Sequence, residues 1–299
     1  MNDFFKRLLE LKHKYYKRTG SSGNYKYFYT REDYKKYLID TAKDETKKRL
    51  LILSERLYQE VKPADKDKIK SSVTAWKTKT DTFHLHKLGR TFTKERKKLH
   101  DSIKNTYYDY FNHAKTDKPK VVFMAGLPAS GKTTSVKNIF TVQENTKGII
   151  MKDKDNVKYL VLNADDIKSY IPEFENGLGA SRTHEESSHL LDKIVKKAIK
   201  QKVNVIIDGT FKSPKKAIKT KSRFENDGYE SSLIYIDVKP EESLKRAKSR
   251  YEHSGRFVPY EFIAEIGDNI KYSIDDIKKT FDKFTHIDNN TTPKIVEER

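Results

Sequence analysis

The feature that most constrains this chain is residues 121–134, VVFMAGLPASGKTT, in which an apolar run leads into Gly-x-x-x-x-Gly-Lys-Thr. A buried strand, this loop and a following helix together form a P-loop in its required context. The two glycines permit torsions and a close backbone approach that side chains forbid, so successive N–H groups can face a phosphate. We expect residues 135–140 to continue a helix whose N-terminus points at that phosphate.

The loop predicts the nucleotide contacts residue by residue. Lys132 is expected to reach the β- and γ-phosphates, and the Thr133 hydroxyl is expected to hold Mg²⁺. ATP and Mg²⁺ are therefore the expected cofactors, although the loop does not separate ATP from GTP. The predicted ATP-binding residues are Gly126, Leu127, Pro128, Ala129, Ser130, Gly131, Lys132, Thr133 and Thr134.

The chain carries a net charge of +19, and the excess lies mainly before the P-loop. Residues 1–118 contain 30 Lys and Arg against 16 Asp and Glu, whereas the rest contains 32 against 27. Such a surface attracts nucleic acid, an anionic membrane or an acidic partner. A lysine-rich, solvated helical domain would have the same composition.

Several classes of protein are excluded by composition. The chain has no cysteine, which excludes disulfides, Cys-zinc sites and thiol catalysis. It has no apolar stretch of about 18 residues, the length of a membrane span. Its N-terminus lacks the apolar region of a secretion signal. We therefore expect a cytoplasmic protein with no membrane partner.

Residues 1–118 are predicted to form a mostly helical domain, separated from a P-loop domain at residues 119–299 by the segment KTDKP at residues 115–119. Apolar residues at helical spacing predict helices near Phe4 to Tyr15 and Leu50 to Val61. A turn is expected at residues 62–65 with a helix after it to Trp76, and a further helix from an N-cap at Thr91 or Thr93 to about Phe111. The lysine- and tyrosine-rich residues 24–30 predict a strand or packing stripe, or a surface on which bases stack.

After residue 119 the pattern changes to alternating strands and helices. Apolar strands are predicted at residues 121–125, 159–163, 203–208, 233–238 and 284–288. Helices are predicted at residues 183–200, 214–226, 240–253 and 260–281, the last with a break near Gly267, and an extra hairpin at residues 148–157. Near-continuous apolar strands separated by helices indicate an α/β fold, a P-loop kinase-type parallel sheet with helices on both faces.

Acidic residues follow two of these strands. In open α/β sheets ligands bind beyond the carboxyl ends of the strands, so Asp165, Asp166 and Asp208 should meet the P-loop in one crevice. Asp165 is the candidate general base for an acceptor hydroxyl. Asp165 or Asp166 could instead be the N-cap of the next helix. Asp208 resembles a Walker-B acid that holds the metal through water, and Thr210 beside it can form a hydrogen bond.

Basic residues beyond the fourth strand are candidates for stabilising the transferring phosphoryl group. Arg246 and Arg250 lie one turn apart on a helix, and Arg256 follows in a glycine-containing loop. Cations over the γ-phosphate and a loop that closes to exclude water suit phosphoryl transfer. The alternative is a surface arginine paired with Glu252 or Glu261.

Other polar groups allow two interpretations. Glu185 and Glu186 open the helix before the third strand, where acids also suit the helix dipole, so they are candidates either for helix capping or for acceptor binding. His84, His86 and His100 could suggest a metal site, but nearby cysteines or a carboxylate pattern are missing, and a structural role is favoured.

Taken together, these motifs resemble the zeta toxin family of P-loop kinases over roughly residues 119–290. The resemblance is carried by residues 126–133, residues 163–168 with Pro172 and Glu173, residues 205–210, and Arg250 with residues 255–256. It implies an ATP-dependent kinase that phosphorylates a sugar hydroxyl of a UDP-N-acetylamino sugar, with an antitoxin as a possible partner. Asp208 stands where such toxins often have glutamate, and residues 1–118 are not part of the minimal toxin fold.

The resemblance also implies a role for each site residue. Asp165 would be the general base, Lys132 and Thr133 the phosphate and Mg²⁺ contacts, and Arg250 and Arg256 the charge clamps. Asp166, Thr210 and one of Glu185 or Glu186 would contact the acceptor. Two other interpretations stay open: a polynucleotide 5′-hydroxyl kinase that docks nucleic acid on its basic N-terminal region, and a nucleotide-dependent binding module.

Overall fold

The computed structural model describes residues 15–19, 24–28, 36, 39, 45–136, 139–143, 146, 149–267 and 269–299. The helix predicted near Phe4 to Tyr15 lies outside the described residues except at Tyr15, which is the first residue of a strand and not part of a helix. Residues 24–30 were predicted as a strand or packing stripe, and a strand is present over Asn24–Phe28.

Over the described residues, the segment before the P-loop is mostly helical, as predicted. A hairpin of β1 (Tyr15–Thr19) and β2 (Asn24–Phe28) comes first, and a short ribbon of β3 (Lys87–Leu88) and β4 (Thr91–Phe92) comes later. The Thr93 side chain accepts a hydrogen bond from the Arg96 N–H at 3.2 Å, which confirms it as an N-cap. The described helices are α1 (Glu45–Gln59), α2 (Pro63–Lys77), α3 (Thr82–Leu85), α4 (Lys94–Tyr108) and α5 (Phe111–Ala114).

An eight-stranded sheet follows, in the order β12-β11-β10-β5-β9-β8-β7-β6. The five strands from β11 to β8 are parallel, and β12, β7 and β6 extend the sheet antiparallel at its two ends. The strands are β5 (Lys120–Ala125), β6 (Phe140–Val142), β7 (Ile150–Asp153), β8 (Lys158–Asn163), β9 (Val205–Asp208), β10 (Glu230–Asp237), β11 (Lys283–Asp288) and β12 (Lys294–Glu298).

Helices cover the sheet, and the predicted break is present at Gly267, whose φ is +45°. They are α6 (Lys132–Ser135), α7 (Ala164–Lys168), α8 (His184–Lys200), α9 (Pro214–Glu225), α10 (Pro240–Ser254), α11 (Tyr260–Ile266) and α12 (Asn269–Ile277). Two 3₁₀ turns lie at Pro172–Gly177 and Lys278–Thr280.

The expectation that a helix occupies residues 135–140 is wrong at its end. Helix α6 spans Lys132–Ser135, and Phe140 already belongs to β6, where it pairs with Asp153 of β7. The Phe140 ring is buried and meets the Tyr159 ring edge-on, with the ring centroids 5.5 Å apart. The burial of this aromatic pair therefore favours a strand. The predicted hairpin at residues 148–157 covers β7 and the turn before β8, and β7 and β8 pair antiparallel.

The cores run continuously across residue 118. Ile103, Tyr107 and Phe111 of α4 and α5 are buried in the same cluster as the central strands and α8. Leu50 of α1 belongs to a second cluster that includes Tyr260 and other residues of α10 and α11. Apolar contacts thus join the parts of the chain before and after residue 118. The division into two domains at this residue stays a prediction. Over the described ranges, the helices include none with the length and apolar character that crossing a bilayer requires.

Candidate active site

The P-loop follows β5 directly, and its two glycines occupy positions where a side chain has no room. Gly126 has a φ of +156°, and a Cβ there would lie 2.7 Å from the Ile236 carbonyl oxygen. Gly131 has a φ of +78°, and a Cβ there would lie 2.6 Å from Asn289 Nδ2. The loop therefore needs glycine at both positions for conformation and for packing.

The loop is also fixed from behind by the residue that follows β11 and by α10. The Ser130 carbonyl accepts a hydrogen bond from Asn289 Nδ2 at 2.6 Å, and Asn289 is almost fully buried just after β11. Arg246 Nη2 donates to the Asn289 carbonyl at 2.9 Å, and Ser243 Oγ donates to the Pro128 carbonyl at 2.5 Å. Arg246 therefore supports the backbone of the P-loop from behind. Its surroundings differ from those of Arg250, which lies one turn further along α10.

The side chain of Lys132 reaches back over the first residues of the P-loop. Its Nζ donates to the carbonyls of Gly126 and Leu127 at 3.3 Å and 3.2 Å, and it lies 3.7 Å from Asp208 Oδ1. Thr133 lies within α6, and Thr134 beside it is exposed. The amine therefore lies between the backbone of the phosphate-binding loop and the acid at the end of β9.

Asn163 connects the ends of β8 and β9. Its Oδ1 accepts from the Asp165 N–H at 2.8 Å, which makes Asn163 the N-cap of α7. Its Nδ2 donates to Asp208 Oδ2 at 2.9 Å. The alternative that Asp165 or Asp166 caps this helix is therefore wrong, because the residue before them has that task. The sequence carried the signal, since asparagine is a preferred N-cap residue.

Asp165 is partly exposed and surrounded by cations. Its Oδ1 accepts from Lys168 Nζ at 3.0 Å, and its Oδ2 lies 3.9 Å from Arg256 Nη2. The walls of the crevice desolvate the carboxyl, but Lys168, Arg256 and Lys132 outweigh this and lower the pKa of Asp165 below its ordinary value. Asp165 is therefore a carboxylate at neutral pH.

The other two acids have the opposite shift. Desolvation raises the pKa of Asp166, and the neighbouring Asp165 charge adds to this against the attraction of Arg256 and Arg250. Desolvation also raises the pKa of Asp208, and the charges of Asp166 and Asp165 act in the same direction. The sheet thus brings three acids close enough to repel one another at the carboxyl ends of β8 and β9.

Arg250 and Arg256 reach this cluster from α10 and the loop after it. Desolvation lowers the pKa of Arg250, and the nearby Arg256 charge does the same, while Asp165 and Asp166 oppose both. The Arg256 side chain is about one-third exposed and faces Asp165. Glu252, a suggested surface partner of Arg256, instead pairs with Lys248 at 2.6 Å. Both arginines therefore lie close to the acids that follow β8, and their role as charge clamps stays a prediction.

The predicted acceptor contacts lie in two different environments. Thr210 is partly exposed after β9, and Glu185 is exposed and accepts from Trp76 Nε1 at 3.3 Å. Glu186 has no exposed surface, so acceptor binding by Glu186 is corrected to a structural role. A signal for this was present, because Glu186, Leu190 and Ile194 share helical spacing on the buried face of α8.

A buried network of charges holds Glu186. Arg96 Nε and Nη2 donate to its two carboxylate oxygens, each at 2.6 Å, and His100 Nε2 lies 2.6 Å from Oε1. Arg96 also donates to both oxygens of Glu173, each at 3.1 Å. Burial raises the pKa of Glu186, but the hydrogen bonds that its own carboxylate makes with Arg96 and His100 outweigh burial and lower the pKa to about 2.

The three histidines considered for a metal site contact three different carboxylates. His84 pairs with Asp81 at 2.8 Å, and Asp81 is also the N-cap of α3. His86 pairs with Glu173 at 3.0 Å, and His100 belongs to the Glu186 network. Each ring therefore has a hydrogen-bonding task within the described fold.

Comparison with known proteins agrees with this arrangement. The family profile described as Zeta toxin matches residues 104–296. The structure from the PezAT chromosomal toxin-antitoxin system of the human pathogen Streptococcus pneumoniae is similar with a TM-score of 0.53 and 17% identity, over 70% of this chain and 83% of that chain. The crystal structure of AvrRxo1-ORF1:-ORF2 with ATP is similar with a TM-score of 0.53 and 17% identity, over 75% of this chain and 70% of that chain.

The structural similarities establish the fold alone, since their identities are low. No curated protein matched the chain. The family profile, in contrast, covers well over half of the chain and includes the P-loop and the ends of β8 and β9. The chain therefore belongs to the zeta toxin family, and it is an ATP-dependent kinase.

Proposed function

We propose that the chain transfers the γ-phosphate of ATP to a sugar hydroxyl of a UDP-N-acetylamino sugar. The observation that supports this most directly is the position of Asp165 at the carboxyl end of β8, an exposed carboxylate that pairs with Lys168, faces Arg256 and feels the charge of Lys132. A carboxylate on the side of the crevice that carries the phosphate-binding loop suits an acceptor hydroxyl that has to lose its proton. The family resemblance supports the choice of sugar nucleotide.

In this proposal the protein mainly positions and stabilises charge. The acceptor oxygen attacks the γ-phosphorus, its proton passes to Asp165, and the bond between the γ-phosphorus and the β–γ bridging oxygen breaks to release ADP. The loop N–H groups and Lys132 hold the phosphates, while Arg250 and Arg256 stabilise the charge on the transferring group. Asp166, Glu185 and Thr210 are proposed to contact the acceptor.

Asp208, at the end of β9, and Thr133, in α6, are residue types that suit a magnesium ion. A carboxylate and a hydroxyl offer oxygen, the ligand type that Mg²⁺ prefers. The raised pKa of Asp208 reflects its burial and the nearby acids, and a cation would relieve that repulsion. We therefore propose that Thr133 and Asp208 hold Mg²⁺, which would neutralise charge on the β- and γ-phosphates.

The experiment follows labelled γ-phosphate from ATP to UDP-N-acetylglucosamine and, in parallel, to an oligonucleotide with a 5′-hydroxyl. Label on the sugar nucleotide, absent with Lys132→Ala, is the expected result. Label on the oligonucleotide alone would instead favour a polynucleotide kinase, an alternative supported by the basic surplus of residues 1–118. Bound ATP with label on neither acceptor would refute the proposed substrate.

We also propose that an antitoxin protein binds this kinase in the cytoplasm. The support is that one structural neighbour belongs to a toxin-antitoxin system and another was crystallised as AvrRxo1-ORF1:-ORF2. Purification of the tagged full chain from its native cells, followed by mass spectrometry, tests this. Recovery of the chain without a stoichiometric protein would contradict it.

A further inference from the structure

The 3₁₀ turn at Pro172–Gly177 lies between α7, which carries Asp165, and α8. Glu175 and Asn176 within it have φ values of +47° and +54°, and Gly177 has a φ of +103°. Two successive non-glycine residues in the left-handed region are uncommon. Such torsions persist only where the surrounding structure enforces them, and they cluster at functional sites. The torsions therefore mark this turn as a candidate functional element.

On one side, the turn contacts the backbone of the loop that carries Arg256. The Asn176 carbonyl accepts from the Phe257 N–H at 3.3 Å. A Cβ on Gly177 would lie 2.6 Å from the Phe257 carbonyl oxygen and 3.0 Å from its nitrogen. The Phe257 ring is buried edge-on between Tyr251 and Tyr260. The residue next to Arg256 is thus fixed by main-chain contact with the turn and by its own ring.

On the other side, the turn is held by residues that precede the family match. Arg96 donates two hydrogen bonds to Glu173, each at 3.1 Å, and His86 Nε2 lies 3.0 Å from the same carboxylate. Lys68 of α2 pairs with Glu175 at 2.8 Å. These three basic residues all lie before residue 104, where the family profile begins.

We propose that Pro172–Gly177 is a positioning element for Arg256, and that Arg96 stabilises it through Glu173. Gly177 and Glu173 are positioning residues in this proposal, because they act on the reaction through the Arg256 loop and do not touch the reacting groups. The N-terminal helices would thereby contribute to phosphoryl transfer in the same chain. The proposal rests on the role of Arg256 in the proposed function.

The test compares the full chain with Gly177→Ala, using ATP and UDP-N-acetylglucosamine. The new methyl group would displace Phe257, and misplacement of a charge-stabilising group by about 1 Å can cost up to roughly 100-fold in rate. We expect kcat to fall about 10- to 100-fold while the KM for ATP stays unchanged. Glu173→Gln, which loses the charge paired with Arg96, should lower kcat in the same way but less.

Gly228→Ala is the matched control. Gly228 also has a positive φ, +81°, but no atom lies within 4 Å of a Cβ placed there. It therefore reproduces the backbone cost without the contact to Phe257, and its kcat should match the wild type. The decisive comparison adds Gly177→Ala to Arg256→Ala. If Gly177 acts through Arg256, the double variant is no slower than Arg256→Ala alone, and a full further loss would overturn the proposal.

Hydrogen exchange provides a measurement that does not depend on the acceptor. The Phe257 amide should exchange faster in Gly177→Ala and at the wild-type rate in Gly228→Ala. If the wild type fails to phosphorylate UDP-N-acetylglucosamine, the proposed substrate is wrong, and the exchange result still decides the structural link. Unchanged exchange in Gly177→Ala, or unchanged kcat with an active wild type, would refute the positioning role.

Discussion

Replacing Glu186 with glutamine removes one charge from a buried network and leaves the size of the side chain almost unchanged. Glu186 has no exposed surface, and its carboxylate receives hydrogen bonds from Arg96 and lies 2.6 Å from His100 Nε2. The sequence makes Glu186 a candidate for helix capping or acceptor binding, whereas in the structure it is an internal ion-pair partner of Arg96. The variant therefore separates a role in stability from a role in substrate binding.

The expected cost follows from the pKa of Glu186. Burial alone would raise it, but the hydrogen bonds from Arg96, His100 and Thr82 lower it from 4.5 to about 2. At roughly 1.4 kcal/mol per pKa unit, this corresponds to about 3 kcal/mol of folding free energy. Because the folded-state pKa is the lower one, this stabilisation is complete above pH 4.5 and is lost as the pH falls toward 2.

Urea unfolding of wild type and Glu186→Gln at several pH values measures this contribution. The difference in free energy of unfolding should be about 3 kcal/mol at neutral pH and about 1 kcal/mol near pH 3. Glu95→Gln is the control, because it removes an exposed carboxylate next to Arg96 and should change stability little. Below its unfolding temperature, Glu186→Gln should keep the wild-type KM for UDP-N-acetylglucosamine. A difference that does not vary with pH, or a raised KM without lost stability, would refute the reasoning.

Three further predictions concern the phosphate site. Lys132→Ala should lower kcat by at least about 100-fold with little change in melting temperature, as phosphate transfer and thermal unfolding would show. Asp165→Asn should lower kcat by about 100- to 10,000-fold, since a general base is lost. Because the pKa of Asp165 lies below 3.8, wild-type activity between about pH 5 and 8 should show no titration of this group, and an acid limb that only Asp165→Asn removes would contradict this. Gly131→Ala should abolish ATP binding in calorimetry, because its Cβ would lie 2.6 Å from Asn289 Nδ2, and normal affinity would show that the loop adapts.

The parts of the site that sequence could predict are those where local order determines position. Lys132 belongs to a motif of fixed geometry, and Asp165 and Asp208 follow apolar strands whose carboxyl ends must meet in a parallel sheet. Arg250 and Arg256 were predictable because the helix and loop after β10 return to the same edge. The parallel strands themselves were apolar enough to be located within a few residues.

The parts that escaped prediction depend on partners far apart in the chain. Asn289 meets Ser130 across 159 residues, and Arg96 meets Glu186 across 90 residues. Neither pairing leaves a local pattern, because a buried polar side chain and an exposed one look alike in sequence. Helical spacing does place Arg96, His100 and Ile103 on one face of α4, which identifies a buried face but not its partner. Phe140 was misassigned because its strand depends on the Tyr159 ring.

The hydrogen bond between Asn289 and the Ser130 carbonyl has a consequence for biosynthesis. The side chain that fixes the back of the P-loop lies 159 residues after Ser130 and is made only after β11. Because domains fold as their segments leave the ribosome, the nascent chain carries a complete P-loop motif well before Asn289 can hold that loop in place. We therefore expect a chain that stops before residue 289 to have a P-loop without this support and to bind ATP more weakly than the full chain.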